Sequence, residues 1–125
     1  MFQITLSVRD YECDMQGIVN NAVYLNYFEH ARHEYLHSIG LDFKALLLQN
    51  IVLVATRVEV DYKRSLKSGD IFSVTVNIEK SSPIRYVFEQ TIMIEDKVMA
   101  NAKTYVVSLN EHGKPTRFPI LEKIS

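Results

Sequence analysis

One cysteine in 125 residues, Cys13, excludes an internal disulfide and fits a reducing compartment. No stretch approaches the roughly 20 apolar residues of a membrane-spanning helix, so no membrane span is expected. Neither charge sign is in excess. Fourteen Lys and Arg against fifteen Asp and Glu give a net charge of -1, which leaves no field to draw in nucleic acid or an anionic membrane. Internal repeats, low-complexity tracts and linkers are missing, as are phosphate-loop, dinucleotide and Ser-His-Asp signatures. The opening MFQITLSVRD alternates instead of forming an apolar run before a cleavage site. No signal peptide is read there, and a cytoplasmic protein is expected. What is present is the composition of a globular chain, 47% hydrophobic and 23% charged. Its length suits one domain that buries roughly two-thirds of its unfolded surface.

The periodicity falls into two regimes. Phe2, Ile4, Leu6 and Val8 alternate with polar residues and predict a half-buried strand. After the loop DYECDMQG a 3.6-residue period runs from about Asn21 to Ile39. Tyr24, Tyr27, Phe28, Ala31, Tyr35 and Ile39 share one face, and Asn26, Glu29, His30, His33 and His37 share the other. Gly40 suits the C′ position, and a short second helix is expected after Asp42 as its cap. From residue 51 the period becomes two. Strands are expected over Thr56–Tyr62, Phe72–Ile78, Ile84–Glu95 and Val98–Leu109, broken by KSGD, SSP and EDK. Long strands with tight turns predict an antiparallel meander, and the apolar helix demands a sheet that curls around it. The fold class is therefore α+β, with one long central helix wrapped by a curved antiparallel sheet of about five strands.

The stretch CDMQGIVNN places a carboxylate, Asp14, a few residues before the helix start, with Gly17 between them. An Asp or Asn in such a place is most often a cap, and Asn20 is read as one. The alternative is a reaction centre. Cys13 has no histidine placed by sequence as its base and reads as small buried filler. His30, His33 and His37 have the spacing of a helical metal site, yet they lie opposite the apolar face among glutamates, so no metal is expected.

The order strand, loop, long helix and four strands resembles the hot-dog fold. The segment YECDMQGIVNNAVYLNYFEHAR resembles the signature of the hydroxybenzoyl-CoA thioesterase-like family of small acyl-CoA thioesterases. The shared features are Asp14, Gly17, Val19, Asn21, Tyr24 and the run Phe28-Glu29-His30-Ala31-Arg32. VEVDYKRSLKSGD resembles the family's next strand and its Gly69-Asp70 turn, and the likeness spans about residues 4 to 121. Two departures stand out. Ile18, Asn20 and Asn21 occupy positions where many relatives carry a histidine, and no proline precedes the Gly69-Asp70 turn.

The resemblance implies a single hot-dog domain over 1–125 that hydrolyses an acyl-CoA or acyl carrier protein thioester. It implies Asp14 as nucleophile or general base and the Asn21 backbone N–H as main oxyanion donor, with Gly17 and Val19 shaping the turn. A carboxylate is ionised at neutral pH, and the free amides of a helix N-terminus attract developing negative charge. Tyr11 and Tyr24 are candidate substrate contacts, whereas Tyr27 reads as core. Lys63, Arg64 and Lys67, and Lys80 with Arg85, form cationic turns; Arg64 and Arg85 are candidates for the phosphates of CoA. No cofactor is implied. Edge-to-edge pairing into a homodimer, or further into a homotetramer, would put the pocket at a subunit boundary, with Glu59 and Asp61 near it. The competing reading is a non-catalytic acyl-CoA-binding or sensing module, which would not require Asp14.

Overall fold

The computed structural model describes residues 1–41 and 43–117. Asp42, expected to cap the second helix, and the end of the family likeness beyond 117 lie outside the described residues. The elements are β1 (Phe2–Ser7), a short 3-10 turn (Asp10–Glu12), α1 (Asn21–Ser38), α2 (Phe43–Leu48), β2 (Val52–Tyr62), β3 (Ile71–Ser82), β4 (Arg85–Ile94) and β5 (Lys97–Leu109). All five strands form one antiparallel sheet in the order β1-β3-β4-β5-β2. The α+β architecture expected from the two periodicities is the one observed.

Period-2 patterning sets which face of the sheet α1 covers. Phe72, Val74, Val76 and Ile78 of β3, Tyr86, Phe88 and Ile92 of β4, and Ala100, Ala102 and Val106 of β5 are all buried. From α1 they meet Tyr24, Tyr27, Phe28 and Ala31, the face read from the sequence, together with Leu36, which that face did not include. Leu36 is recruited by the way the helix ends. Gly40 N–H donates to the His37 carbonyl at 3.1 Å and Leu41 N–H to the Leu36 carbonyl at 2.7 Å. Gly40 sits at φ +78°, which a glycine adopts without strain. This closure turns buried Leu41 back beside Leu36, the hydrophobic pairing such an end favours.

The meander holds only in part. β3, β4 and β5 follow one another through tight turns, but β2 pairs with β5 and not with β3. The KSGD segment is thus no hairpin turn between neighbours. Residues 63–70 cross from one edge of the sheet to β3 and pass against the start of α1. The Val19 N–H donates to the Leu66 carbonyl at 2.9 Å, the Leu66 N–H to the Tyr24 hydroxyl at 2.8 Å, and the Val8 N–H to the Asp70 carbonyl at 2.8 Å. Leu66 itself is wholly buried. Turn residues show where the chain bends, not which strands it joins, and that is why the alternation misled here.

Two buried tyrosines, Tyr24 and Tyr27, and the half-buried Tyr35 are expected to make the fold sensitive to alkali. Burial raises the pKa of Tyr24 and Tyr35, and Tyr27 is pushed up first by burial and then by its hydrogen bond to Glu12 and that carboxylate's charge. A phenol whose folded pKa is raised stabilises the fold fully below its unfolded value and ceases to do so as pH rises through the folded one. Stability is therefore expected to fall once pH exceeds about 10, the ordinary tyrosine value. Urea midpoints that stay level through that range, while phenolate absorbance rises, would contradict this.

Candidate functional site

Residues 12–20 form a narrow hairpin in front of α1. The Asn20 N–H donates to the Glu12 carbonyl at 3.2 Å, Cys13 bridges Val19, and the Asp14 N–H donates to the Ile18 carbonyl at 2.9 Å. The turn closes with the Gly17 N–H on the Asp14 carbonyl at 3.0 Å, and Gly17 adopts φ +82°. A side chain at that φ would be strained, so the glycine is needed for the turn itself. The Asp14 carboxylate stands exposed at the tip. Its Oδ1 accepts the Gln16 N–H at 2.8 Å and the Ile18 N–H at 3.4 Å. Its Oδ2 has no hydrogen-bond partner among the described residues.

The helix behind the hairpin begins uncapped. Asn20 occupies the N-cap position, but its side chain makes no capping bond, contrary to the cap reading. No acidic residue lies in the first turn either. The first amide with a partner is that of Val23, which donates to the Asn20 carbonyl at 2.9 Å. The Asn21 and Ala22 amides have no acceptor among the described residues, so the positive end of α1 is left open beside the Asp14 hairpin.

A second loop docks on this hairpin. Lys67 bridges Ile18, the Ser68 N–H donates to the Gly17 carbonyl at 3.3 Å, and the Ser68 hydroxyl donates to Asp10. Lys63, Arg64 and Lys67 thus share one end of the sheet with Asp14. The Arg64 Nη1 donates to the Val98 carbonyl at 2.8 Å. Arg85 is elsewhere. It pairs with Ser82 and Val107 at the far end of β3 and β5, roughly 30 Å away along strands rising about 3.3 Å per residue. Within one chain the structure does not bring Arg85 to Asp14.

The aromatic candidates separate as well. Tyr11 is exposed beside the hairpin. Tyr24 is buried, with its hydroxyl committed to the Leu66 amide. Tyr27 packs in the core as expected, its ring 4.8 Å from that of Phe72. Val19 is buried under the hairpin. The Cys13 thiol is pushed up by partial burial and then by the charges of Asp10, Asp14, Glu12 and Asp70, surroundings that oppose a thiolate. His30 and His37 are exposed on α1, whereas His33, expected on the same solvated face, is half-buried at the rim of a cavity between α1 and the sheet. Among the described residues no group of three or more His, Cys, Asp or Glu is arranged to hold a metal ion.

Sequence reasoning passed over two groups. Glu12 has a side chain only 10% exposed, and its Oε1 accepts the Tyr27 hydroxyl at 2.7 Å and the Arg9 N–H at 2.8 Å. It braces the hairpin to the helix. The Tyr62 hydroxyl donates to the Asn21 carbonyl at 3.1 Å and steadies the first turn. Glu12 lies two residues before Asp14, and that proximity was the one signal available. Tyr62 is 41 residues from Asn21, and nothing local pointed to it.

Comparison with known proteins gives the family and the fold. The model of the thioesterase-like superfamily matches residues 8–124. The acyl-acyl carrier protein thioesterase ATL3 (chloroplastic) of Arabidopsis thaliana is 36% identical over 119 residues, covering 94% of this chain and 63% of that protein. The chain spans less than two-thirds of that relative's length. The acyl-CoA thioesterase YbgC of Haemophilus influenzae is 30% identical over 121 residues, covering 94% of this chain and 88% of the relative. Among solved structures, a hypothetical protein from Aquifex aeolicus superposes with a TM-score of 0.92 at 31% identity over all of both chains.

Proposed function

Because the chain belongs to the thioesterase-like superfamily and has the hot-dog fold, we propose that it hydrolyses acyl-CoA or acyl carrier protein thioesters. The observation that carries this is the pairing of an Asp14 carboxylate oxygen free of partners with an uncapped helix N-terminus. The thioester carbonyl sits between them. Asp14 attacks the carbonyl carbon or takes a proton from the attacking water, and the Asn21 N–H receives the developing oxyanion. On the first route the C–S bond breaks to leave an acyl anhydride on Asp14, which water then hydrolyses; on the second, water's oxygen enters the acid directly. On both the thiol leaves with a proton and a carboxylic acid is released. Lys63, Arg64 and Lys67 offer positive charge to the phosphates carried by either substrate. The names of the two relatives cited, one acting on acyl carrier protein and one on acyl-CoA, support this substrate class.

The active assembly in this reading is a homodimer joined along β2. Val52, Val54, Val58 and Tyr62 are each 37–45% exposed on this eleven-residue edge, an unpaired row of the kind proteins cover. The other edge, β1, is half as long and turns Gln3, Thr5 and Ser7 outward. Val58→Lys is expected to shift the protein to monomers in light scattering, and an unchanged mass would refute the β2 pairing.

The deciding experiment is free-thiol release from a panel of aromatic and aliphatic acyl-CoAs and an acyl carrier protein thioester. Hydrolysis of any member supports the reading and names the acyl class. A protein that binds these thioesters but releases no thiol is the binding module instead.

A further inference from the structure

A cavity of about 250 Å³ opens between α1 and the β2 side of the sheet, with apolar walls from Leu36, Leu53, Phe88 and Val106. Arg32 enters it from α1. Its Nη1 donates to Gln90 Oε1 at 3.1 Å and to Thr104 Oγ1 at 3.3 Å. Gln90 and Thr104 are themselves 3% and 1% exposed, and the Gln90 amide is held by its Nε2 donating to the Phe28 carbonyl at 2.9 Å. Every hydrogen-bond partner of the guanidinium is therefore neutral, and the charge of Glu29 reaches it only from the cavity rim. Among the described residues no carboxylate lies within 4 Å of it, and Nη2 and Nε have no acceptor. Glu29 at the rim turns to His33 instead, at 3.7 Å.

A cation drawn out of water is costly unless an anion meets it, and arginine stays charged at any working pH. Here Nη1 of the guanidinium is held by two buried side chains, and among the described residues its remaining donors are unspent. A guanidinium fork matches the two oxygens of a carboxylate. We propose that this cavity binds a small carboxylic acid, its carboxylate on Arg32 and its apolar body between Leu36, Leu53, Phe88 and Val106. The volume lies below the roughly 300–1,000 Å³ of ordinary small-molecule sites, which selects an acid of few carbons or one ring and excludes a CoA-sized ligand. A carboxylic acid is also a product of thioester hydrolysis, but the binding site does not rest on that reading.

The test is calorimetric titration of the full chain with hexanoate and benzoate, against hexanol and benzyl alcohol as neutral matches. At least one acid is expected to bind saturably, once per chain and about tenfold or more tighter than its alcohol. Arg32→Met should erase that preference and Arg32→Lys should keep part of it. Ala55→Phe narrows the same cavity from the β2 side and should weaken acid binding about tenfold, with light scattering checking that its mass matches the wild type. Circular dichroism checks that each variant is folded. No saturable acid binding, equal affinity for acid and alcohol, or unchanged binding by Arg32→Met would each overturn the proposal. So would a dimer that falls apart in Arg32→Met while the wild type binds neither acid, since Arg32 would then serve a subunit contact. Because free acids replace thioesters here, the outcome is independent of whether Asp14 hydrolyses anything.

Discussion

Asp14→Asn is expected to lower the rate of thioester hydrolysis by about 10²–10⁴-fold, the range contributed by a positioned general base. The substitution separates chemistry from structure unusually well. In the fold, Asp14 serves through Oδ1, which accepts the Gln16 and Ile18 amides, and an asparagine oxygen can accept both. What asparagine lacks is the negative charge and basicity of the second oxygen, which has no structural task. The variant should therefore keep the wild-type melting temperature while losing turnover, with KM little changed. If it melts normally and retains most of its kcat, Asp14 is only a turn residue, and the reading falls. Single-turnover hydrolysis in isotope-labelled water tests for the nucleophilic route, because label in the enzyme carboxylate requires an anhydride opened by water at the Asp14 carboxyl carbon, which base catalysis never forms.

Phe28→Ala should give the largest loss of stability, about 3–5 kcal/mol, as removal of a fully buried aromatic does. Phe28 is 1% exposed and is one of the α1 side chains that meet the sheet. Against a typical total of about 5–15 kcal/mol, that loss leaves a marginal protein. It should appear as a lower urea midpoint with an unchanged m-value. Phe28→Leu, which keeps much of the volume, should lose distinctly less. His30→Ala on the exposed face should stay within about 0.5 kcal/mol, as surface changes away from special features do. A Phe28→Ala protein as stable as His30→Ala would mean that α1 is not the centre of the core.

Glu12, Arg32 and Arg85 show how unevenly the site was legible. Asp14, Gly17 and the helix start were readable because loop, glycine and helix are contiguous, and local chain geometry decides their arrangement. Arg32 was visible only as one letter of a helical run. Its meaning depends on Gln90 and Thr104, 58 and 72 residues away, which the sheet brings beneath it. Arg85 was grouped with Arg64 by charge alone, and strand direction sends the two to opposite ends of the sheet. The Asn20 cap failed for a related reason. Composition permits a cap, but whether the side chain turns to the helix amides is a matter of local conformation that composition does not fix.

By itself the sequence determined the order of helices and strands, most of the face that α1 buries and the loop that carries Asp14, since these follow from period and turn chemistry. Only the tertiary structure decided that β2 pairs with β5, that residues 63–70 brace the start of α1, and that Arg32 meets neutral partners beside a cavity. Strand order and such contacts are fixed by which surfaces pack best across the whole molecule, and period-2 alternation is the same whichever neighbour a strand finds.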